Sequence, residues 1–466
     1  MMAKGSDAMA AEEKLTLHLA EAIAASDPLR DDEAVTIART ALIDFLACVL
    51  GGAADRSTKI LIDSFTSATS GTAGIIGHDL RTDVFTAALI NGHSGHVLDY
   101  DDVHGSVRGH PTVAIIPALL AVAVEENSTA DALIAAYIVG LETMARIGLS
   151  LGTKHYENGF HATATLGPIG AAAAIAHLLK FDPQTTAVAL GLAATQSAGL
   201  RLQFGFDAKP LHAGLATRAG LTAARLARSG FQGAPDFLEN PIGFYSAFAF
   251  GAEQPKRVLS GWGAPWQIVS PGLTLKAFPC CTAAHPVAVG ALALRSAHDL
   301  TPDEIATVII TFPPGGDAAL VGPATPTTGI DARFSAEYVF AAALADGALG
   351  IGHFDERPAR ADLLTLSAKV SRRHDETARR LSPDPTTRFV VIDVTKKDGT
   401  LLSRRIDGLP GIDDPTEKFA DATGGNKKFA EIPALVRSMK TAADLRKLET
   451  LLATEIKLDR HEGMTP

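Results

Sequence analysis

Cysteine is scarce in this 466-residue chain: only Cys48, Cys280 and Cys281 are present. Two of them are neighbours, and adjacent cysteines do not make an ordinary structural disulfide. Three thiols so placed also fall short of the ligand set of a cubane iron–sulfur cluster. The chain lacks an HExxH pair and an EF-hand loop, the common signatures of bound zinc and calcium. It lacks a basic stripe as well, and its formal net charge is −10, which argues against nucleic acid as a partner. The N-terminal stretch MMAKGSDAMAAEEKL has no secretory apolar core and carries early acids. Long uncharged runs such as Thr163 to Leu179 are rich in Ala and Gly and contain Pro168. They read as buried core helices, not membrane spans. The expectation is a cytoplasmic protein with no membrane partner, and no internal repeat is visible.

What the chain does have is apolar material for a large core, with 47% hydrophobic residues. Ala38, Ala41, Leu42, Phe45, Leu46 and Val49 form a helical stripe within 34–49. Further helices are expected at 112–126, 130–149, 167–179, 185–198 and 220–229. Their Ala and Gly content implies close helix packing. The character changes near residue 270. ATVIITF (306–312) and RFVVIDV (388–394) read as strands, and KKDGT turns the second back into 401–406. Helical patterns lie between them at 336–349 and 359–370. The polar, Gly-rich stretch 413–425 is expected to be a connection, and 432–457 returns to helical periodicity. The fold class is therefore mostly α. A large helical domain (1–268 and 410–466) is expected to carry a smaller α+β domain (269–409).

The densest chemistry lies in NGHSGHVLDYDDVHGSVRGHPT (91–112), with four histidines, three aspartates and an arginine in 22 residues. An apolar helix follows directly at 113–124. Charge packed against such a helix is unfavourable unless it is paired or used. Groups of this kind gather at catalytic sites. The alternatives are a solvated helix cap, or a metal shell built from His93, His96, Asp101, Asp102 and His104. Histidine and carboxylate serve equally as general acids and bases without a metal, and no metal or other cofactor is expected.

Four segments read together: LDYDDVHGSVRGHPT (98–112), NGFHATATLGPIGAAAA (158–174), KPLHAGLATRAG (209–220) and KAFPCCTAAHP (276–286). A fifth is RFSAEYVFAAALADG (333–347). In order and spacing they resemble the MmgE/PrpD family, which includes 2-methylcitrate dehydratase, cis-aconitate decarboxylase and iminodisuccinate epimerase. The resemblance spans most of the chain. It implies a helical domain plus an α/β lid domain, a homodimer, no cofactor, and a small di- or tricarboxylate substrate. It also implies catalytic positions at Asp99, His110, His161, Lys209, Cys281 and Tyr338. Arg108, His104 and His212 are added as substrate-binding candidates because an anionic substrate needs a locally positive pocket in an acidic chain.

The chemistry so implied is removal of a hydrogen α to a carboxylate. The resulting enediolate-like dianion needs fixed positive charge or hydrogen-bond donors. Lys209, Arg108 and His110 suit that role, and His161, Lys209 or His212 could carry the proton. The family's decarboxylase branch usually has histidine where Cys281 stands, and its dehydratases and decarboxylases usually have threonine at Val103. These departures favour an epimerase of iminodisuccinate type. The alternatives are a 2-methylcitrate dehydratase-like hydro-lyase, a cis-aconitate decarboxylase-like lyase, or a non-catalytic metabolite-binding helical protein.

Overall fold

A computed structural model of the protein describes residues 14–67, 69–382 and 385–456. Its main core is a stack of helices, Asp32–Gly52, Val84–His96, Pro111–Glu125, Ala130–Leu151, Ala162–Leu178 and Ala208–Arg228. Each starts where the sequence supplies a stop for the preceding loop. Asp31, Asp83 and Thr129 accept backbone N–H groups as N-caps, and Pro111 occupies the first turn, where its missing N–H is no loss. Asp32–Gly52 and Ala130–Leu151 are long and apolar enough to cross a membrane. Both are mostly buried within the fold, as core helices are.

Small residues let these helices approach closely. At Gly92 an added Cβ would sit 2.8 Å from Gly214 Cα, and at Gly214 it would sit 2.2 Å from the Leu89 carbonyl oxygen. The helices Val84–His96 and Ala208–Arg228 therefore meet backbone to backbone. That contact brings the end of the first, at His96, beside the start of the second, at Lys209.

A second core gathers around a four-stranded sheet in the order Val370–His374, Ile305–Phe312, Phe389–Lys396, Leu401–Asp407. The first pair is parallel and the other two are antiparallel. Ile305, Val308, Ile310 and Phe312 are buried in one core with helices His285–His298 and Ala336–Asp346, the first of which packs on the strands Phe389–Lys396 and Leu401–Asp407. Phe204, contributed by the helical part of the chain, packs into this second core. The C-terminal residues Phe419 to Ile456 pack into the first.

Three sequence expectations need correction. The helix expected at 220–229 begins at Ala208; Pro210, which reads as a break in the sequence, is tolerated because it sits in the first turn, where an N–H has no intrahelical partner. The helix expected over 359–370 ends at Ser367, and Val370–His374 is a strand. Only Val370 of that strand is buried, so no alternation marks it. The connection expected over 413–425 contains the helix Thr416–Ala422.

That short helix is held by a buried ion pair. Lys418 Nζ donates to Asp44 Oδ1 at 2.6 Å, to the Tyr100 carbonyl at 2.5 Å and to the Lys276 carbonyl at 3.4 Å. All three ammonium protons are used. Burial alone would discharge the lysine, but the surrounding groups, Asp44 foremost, together outweigh it and keep Lys418 charged. Removing one partner of such a pair leaves an uncompensated buried charge. Lys418→Met is expected to lower unfolding free energy by about 3–5 kcal/mol. Lys418→Met with Asp44→Leu is expected to recover most of it, as read by urea titration of both variants. Equal losses in the single and double variants would show that the pair is not coupled.

Candidate active site

The loop after the Val84–His96 helix carries Asp99 in the left-handed backbone region, at φ 50°. A non-glycine residue there is uncommon and points to a constrained site. Two lysines hold it. Lys276 Nζ donates to the Asp99 carbonyl at 2.8 Å, to Asp99 Oδ1 at 2.8 Å and to the Cys280 carbonyl at 3.3 Å. Lys209 Nζ donates to the same Oδ1 at 2.7 Å. Burial works to raise the Asp99 carboxyl, but Lys209 and Lys276 outweigh it and hold the group well below the usual carboxylate range. The two lysines are not equivalent. Lys276 has three acceptors for its three protons and is saturated. Lys209 has one acceptor among the described residues and also lines an open cleft. It has donors to offer a ligand.

Imidazoles surround this centre. His96 Nδ1 lies 2.8 Å from Asp101 Oδ1, and its Nε2 is buried without a hydrogen-bond partner. Burial pulls His96 down to about 3 despite the Asp101 charge. It is therefore a neutral ring that donates Nδ1–H to a carboxylate and leaves a lone pair on Nε2. His110 stands 4.4 Å from the His96 ring. Its Nδ1 is 3.2 Å from Asp101 Oδ2 and its Nε2 is 3.9 Å from Asp99 Oδ1. The first contact is close but too poorly aligned to count as a hydrogen bond. The His110 amide donates to Thr163 Oγ1 at 3.0 Å, which ties it to the helix that follows His161. His161 Nδ1 meets His212 Nδ1 at 3.1 Å, so one of the two carries the shared proton. Burial first, then Lys209, drives His161 well below the ordinary histidine value.

Asp99, His110, His161, Lys209 and His212 thus come together although they are spread over more than a hundred positions. Cys281 borders them. It is buried, its Sγ faces the Ala319 carbonyl at 3.7 Å, and burial pushes the thiol up so that it is protonated. Three sequence candidates lie elsewhere. Tyr338 is buried in the second core, with its hydroxyl on the backbone of Arg360 and not on this centre. His104 has both nitrogens engaged: Nδ1 accepts from the Ser106 amide and Nε2 meets the Gln267 carbonyl at 2.9 Å. It fixes a loop and has nothing to offer a substrate. Arg108 turns toward Tyr156, 5.8 Å from its ring centre.

Sequence reading missed Lys276, His96 and Arg333. Lys276 and Arg333 stood inside quoted motifs without a role. His96 was weighed only as a metal ligand, although its five-residue spacing to Asp101 is the signal for a carboxylate–histidine pair. Arg333 lines the cleft and donates to the Val97 and Phe354 carbonyls. A divalent ion has a formal donor set here, since His96, Asp99, Asp101 and His110 offer atoms within 4.8 Å of one another. Two ammonium groups already occupy Asp99, however, and like charge at this range opposes a cation. The arrangement suits an anion, held by Lys209, with neutral imidazoles positioned to exchange its protons.

The buried imidazoles set an acid limit. His96 and His285 are pulled down to about 3 and His104 to about 4, all by burial first. Their folded values lie below the ordinary 6.5, so their contribution is fully present above pH 6.5. It is lost as pH falls and the unfolded chain takes up protons that the folded chain refuses. Three such groups steepen stability by about 4 kcal/mol per pH unit between pH 6.5 and 4. Urea midpoints are expected to fall sharply across that window and to be flat from pH 7 to 8. A flat profile down to pH 5 would mean that these rings are already charged in the fold.

Residues 18–257 match the MmgE/PrpD N-terminal domain and residues 278–450 match the MmgE/PrpD C-terminal domain. Cis-aconitate decarboxylase of Mus musculus is 30% identical over 347 residues, covering 72% of this chain and 69% of that protein. The Homo sapiens protein of the same name is 28% identical, covering 80% and 79%. That of Aspergillus terreus (strain NIH 2624 / FGSC A1156) is 26% identical, covering 90% and 92%. With both domain models matched in order over most of its length, the chain belongs to the MmgE/PrpD family.

Proposed function

We propose that this protein is a cofactor-independent acid–base enzyme that removes a proton α to a carboxylate of a small di- or tricarboxylate, and returns it as an epimerase. The observation that carries the reading is Lys209. It is a buried cation held 2.7 Å from a fixed carboxylate, with donors left over and neutral rings beside it. In this reading Lys209 binds the carboxylate next to the reacting carbon and takes up charge as the enediolate forms. Asp99 and Lys276 hold Lys209 in place. His161, neutral and backed by His212, accepts the proton. An epimerase needs a second, proton-bearing group on the opposite face: Lys209, which has ammonium protons to spare, delivers one to the carbon, and the proton taken up by His161 passes back to Lys209 to restore both groups. The residues 269–409, which contribute Ile330, Arg333 and Phe334 to the cleft wall, act as its lid.

The choice of epimerase rests on Cys281. A protonated thiol in an apolar wall neither donates strongly nor carries charge, and a wall of that kind gives no help to a departing group. A second reading, decarboxylation, is favoured by the names of the relatives. It needs no proton removal: the bond from carbon to a carboxylate breaks, carbon dioxide leaves, and a proton donor such as Lys209 protonates the carbanion left behind.

Incubation with chiral di- and tricarboxylates in deuterated water separates the two. Deuterium is expected at the α carbon, with the skeleton retained and no alkene or carbon dioxide formed. Alkene formation at the rate of substrate loss would replace the epimerase with a dehydratase, and carbon dioxide release would replace it with a decarboxylase. Lys209→Ala is expected to lower turnover by about 10²–10³ with little change in the far-ultraviolet spectrum. Turnover near that of the unmodified enzyme would remove Lys209 from the mechanism.

A further inference from the structure

Beside the lysine centre stands a second group of cations that the proposed reaction does not use. Arg201 lies over the Tyr156 ring, its Cζ 3.9 Å from the centre, and Arg108 approaches the same ring at 5.8 Å. Arg388, just before the strand Phe389–Lys396, is near enough to Tyr156 and Cys281 to interact electrostatically with both. None of the three makes an ion pair with a described residue. Glu157, an exposed residue, acts on Arg108 electrostatically without forming an ion pair with it. Arg201 donates to the carbonyls of Tyr156 and Ala318, both at 3.1 Å, while its Nε is buried without a partner. The side chains of Arg108 and Arg388 donate no hydrogen bond to the described residues.

Three half-buried guanidinium groups around one ring repel one another. In a chain of net charge −10 they have been left without counter-charge, and an unpaired N–H in a buried place is unfavourable. Such an arrangement is stable when a ligand supplies the anion. Guanidinium is the cation best shaped for carboxylate. The position is informative too. Phe204 lies between the groups, with Arg201 Cζ 5.8 Å and Lys209 Nζ 5.5 Å from its ring centre. His161 meets the same ring at 5.0 Å. Cys281 borders both groups, since it feels Asp99, Lys276 and Lys209 and is felt by Arg388 and Tyr156.

We propose that Arg108, Arg201 and Arg388 form a second anion subsite, one aromatic ring away from Lys209, that receives a carboxylate of the substrate remote from the reacting carbon. The proposal rests on the polycarboxylate reading above and adds to it. Lys209 holds the carboxylate next to the chemistry, and the arginines measure the length of the molecule. Substrates with one carboxylate lack the second anchor.

The test uses the full-length enzyme and Arg108→Gln, Arg388→Gln and their double variant, which break no hydrogen bond of the fold. Tricarballylate, propanoate and inorganic phosphate are the probes, read by calorimetry and by thermal shift. Tricarballylate affinity is expected to fall roughly ten- to hundredfold in each single variant, as loss of a charge-assisted contact implies. Propanoate affinity is expected to be unchanged, and Arg388→Lys to restore part of the loss. For any substrate turned over, KM is expected to rise more than kcat falls. Unchanged tricarballylate binding in the double variant overturns the subsite, as does phosphate binding as tightly as tricarballylate. If the unmodified enzyme exchanges no α proton but still loses tricarballylate in the arginine variants, the subsite stands and the reaction reading fails. If Lys209→Ala abolishes turnover while the arginine variants bind normally, the reverse holds.

Discussion

Asp99 between two buried ammonium groups is the constraint on which the site depends. A carboxylate removed from water is stable only with opposite charge and hydrogen bonds, and here both come from Lys276 and Lys209. Lys276 also grips the Asp99 carbonyl, so one cation fixes both the side chain and the left-handed backbone that presents it. The consequence is a division of labour. A saturated lysine can only hold, whereas a lysine with donors to spare can bind and release.

The rest of the fold keeps that triangle in register. Gly92 against Gly214 sets the distance between the helix that leads into Asp99 and the helix that begins at Lys209. Lys418 holds the Tyr100 and Lys276 carbonyls together with Asp44. The neighbour of Asp99 and the backbone of its partner lysine are thereby tied to one cation from near the C-terminus. Three buried lysines and two buried aspartates thus form one network across segments remote in sequence. Networks of this kind are most sensitive to removal of a single member, because every partner is then left buried and unsatisfied.

Much of this was legible in the chain, and the remainder was hidden for identifiable reasons. Helical periodicity marked most core helices to within a few residues, and the strands Ile305–Phe312 and Phe389–Lys396 announced themselves by β-branched runs. The density of acid and base in 91–112 marked the site, since such charge beside an apolar helix has few other uses. The helix Thr416–Ala422 was not legible, because its reason for being buried is Asp44, more than 370 positions away. His104 was over-read. A histidine in a charged loop looks available until both its nitrogens are found to be engaged. Tyr338 was placed at the centre by motif position alone, and the packing of its helix turns its hydroxyl toward Arg360.

On the proposed reading, the cation inventory is what lets an acidic chain receive an acidic molecule. The net charge of −10 describes the whole surface, but a substrate feels the local field. Asp99 and Asp101 balance Lys209 and Lys276, so the reacting centre is close to neutral before a ligand enters. Burial then keeps His96 and His161 uncharged. The attraction that draws an anion inward must then come from charge that is not balanced. Arg108, Arg201 and Arg388 make no ion pair with a described residue and stand beside the centre around Tyr156. In the proposed subsite, separating the groups that attract from the groups that react lets a cluster of cations coexist with a base that is still neutral, which a single cluster holding both could not do.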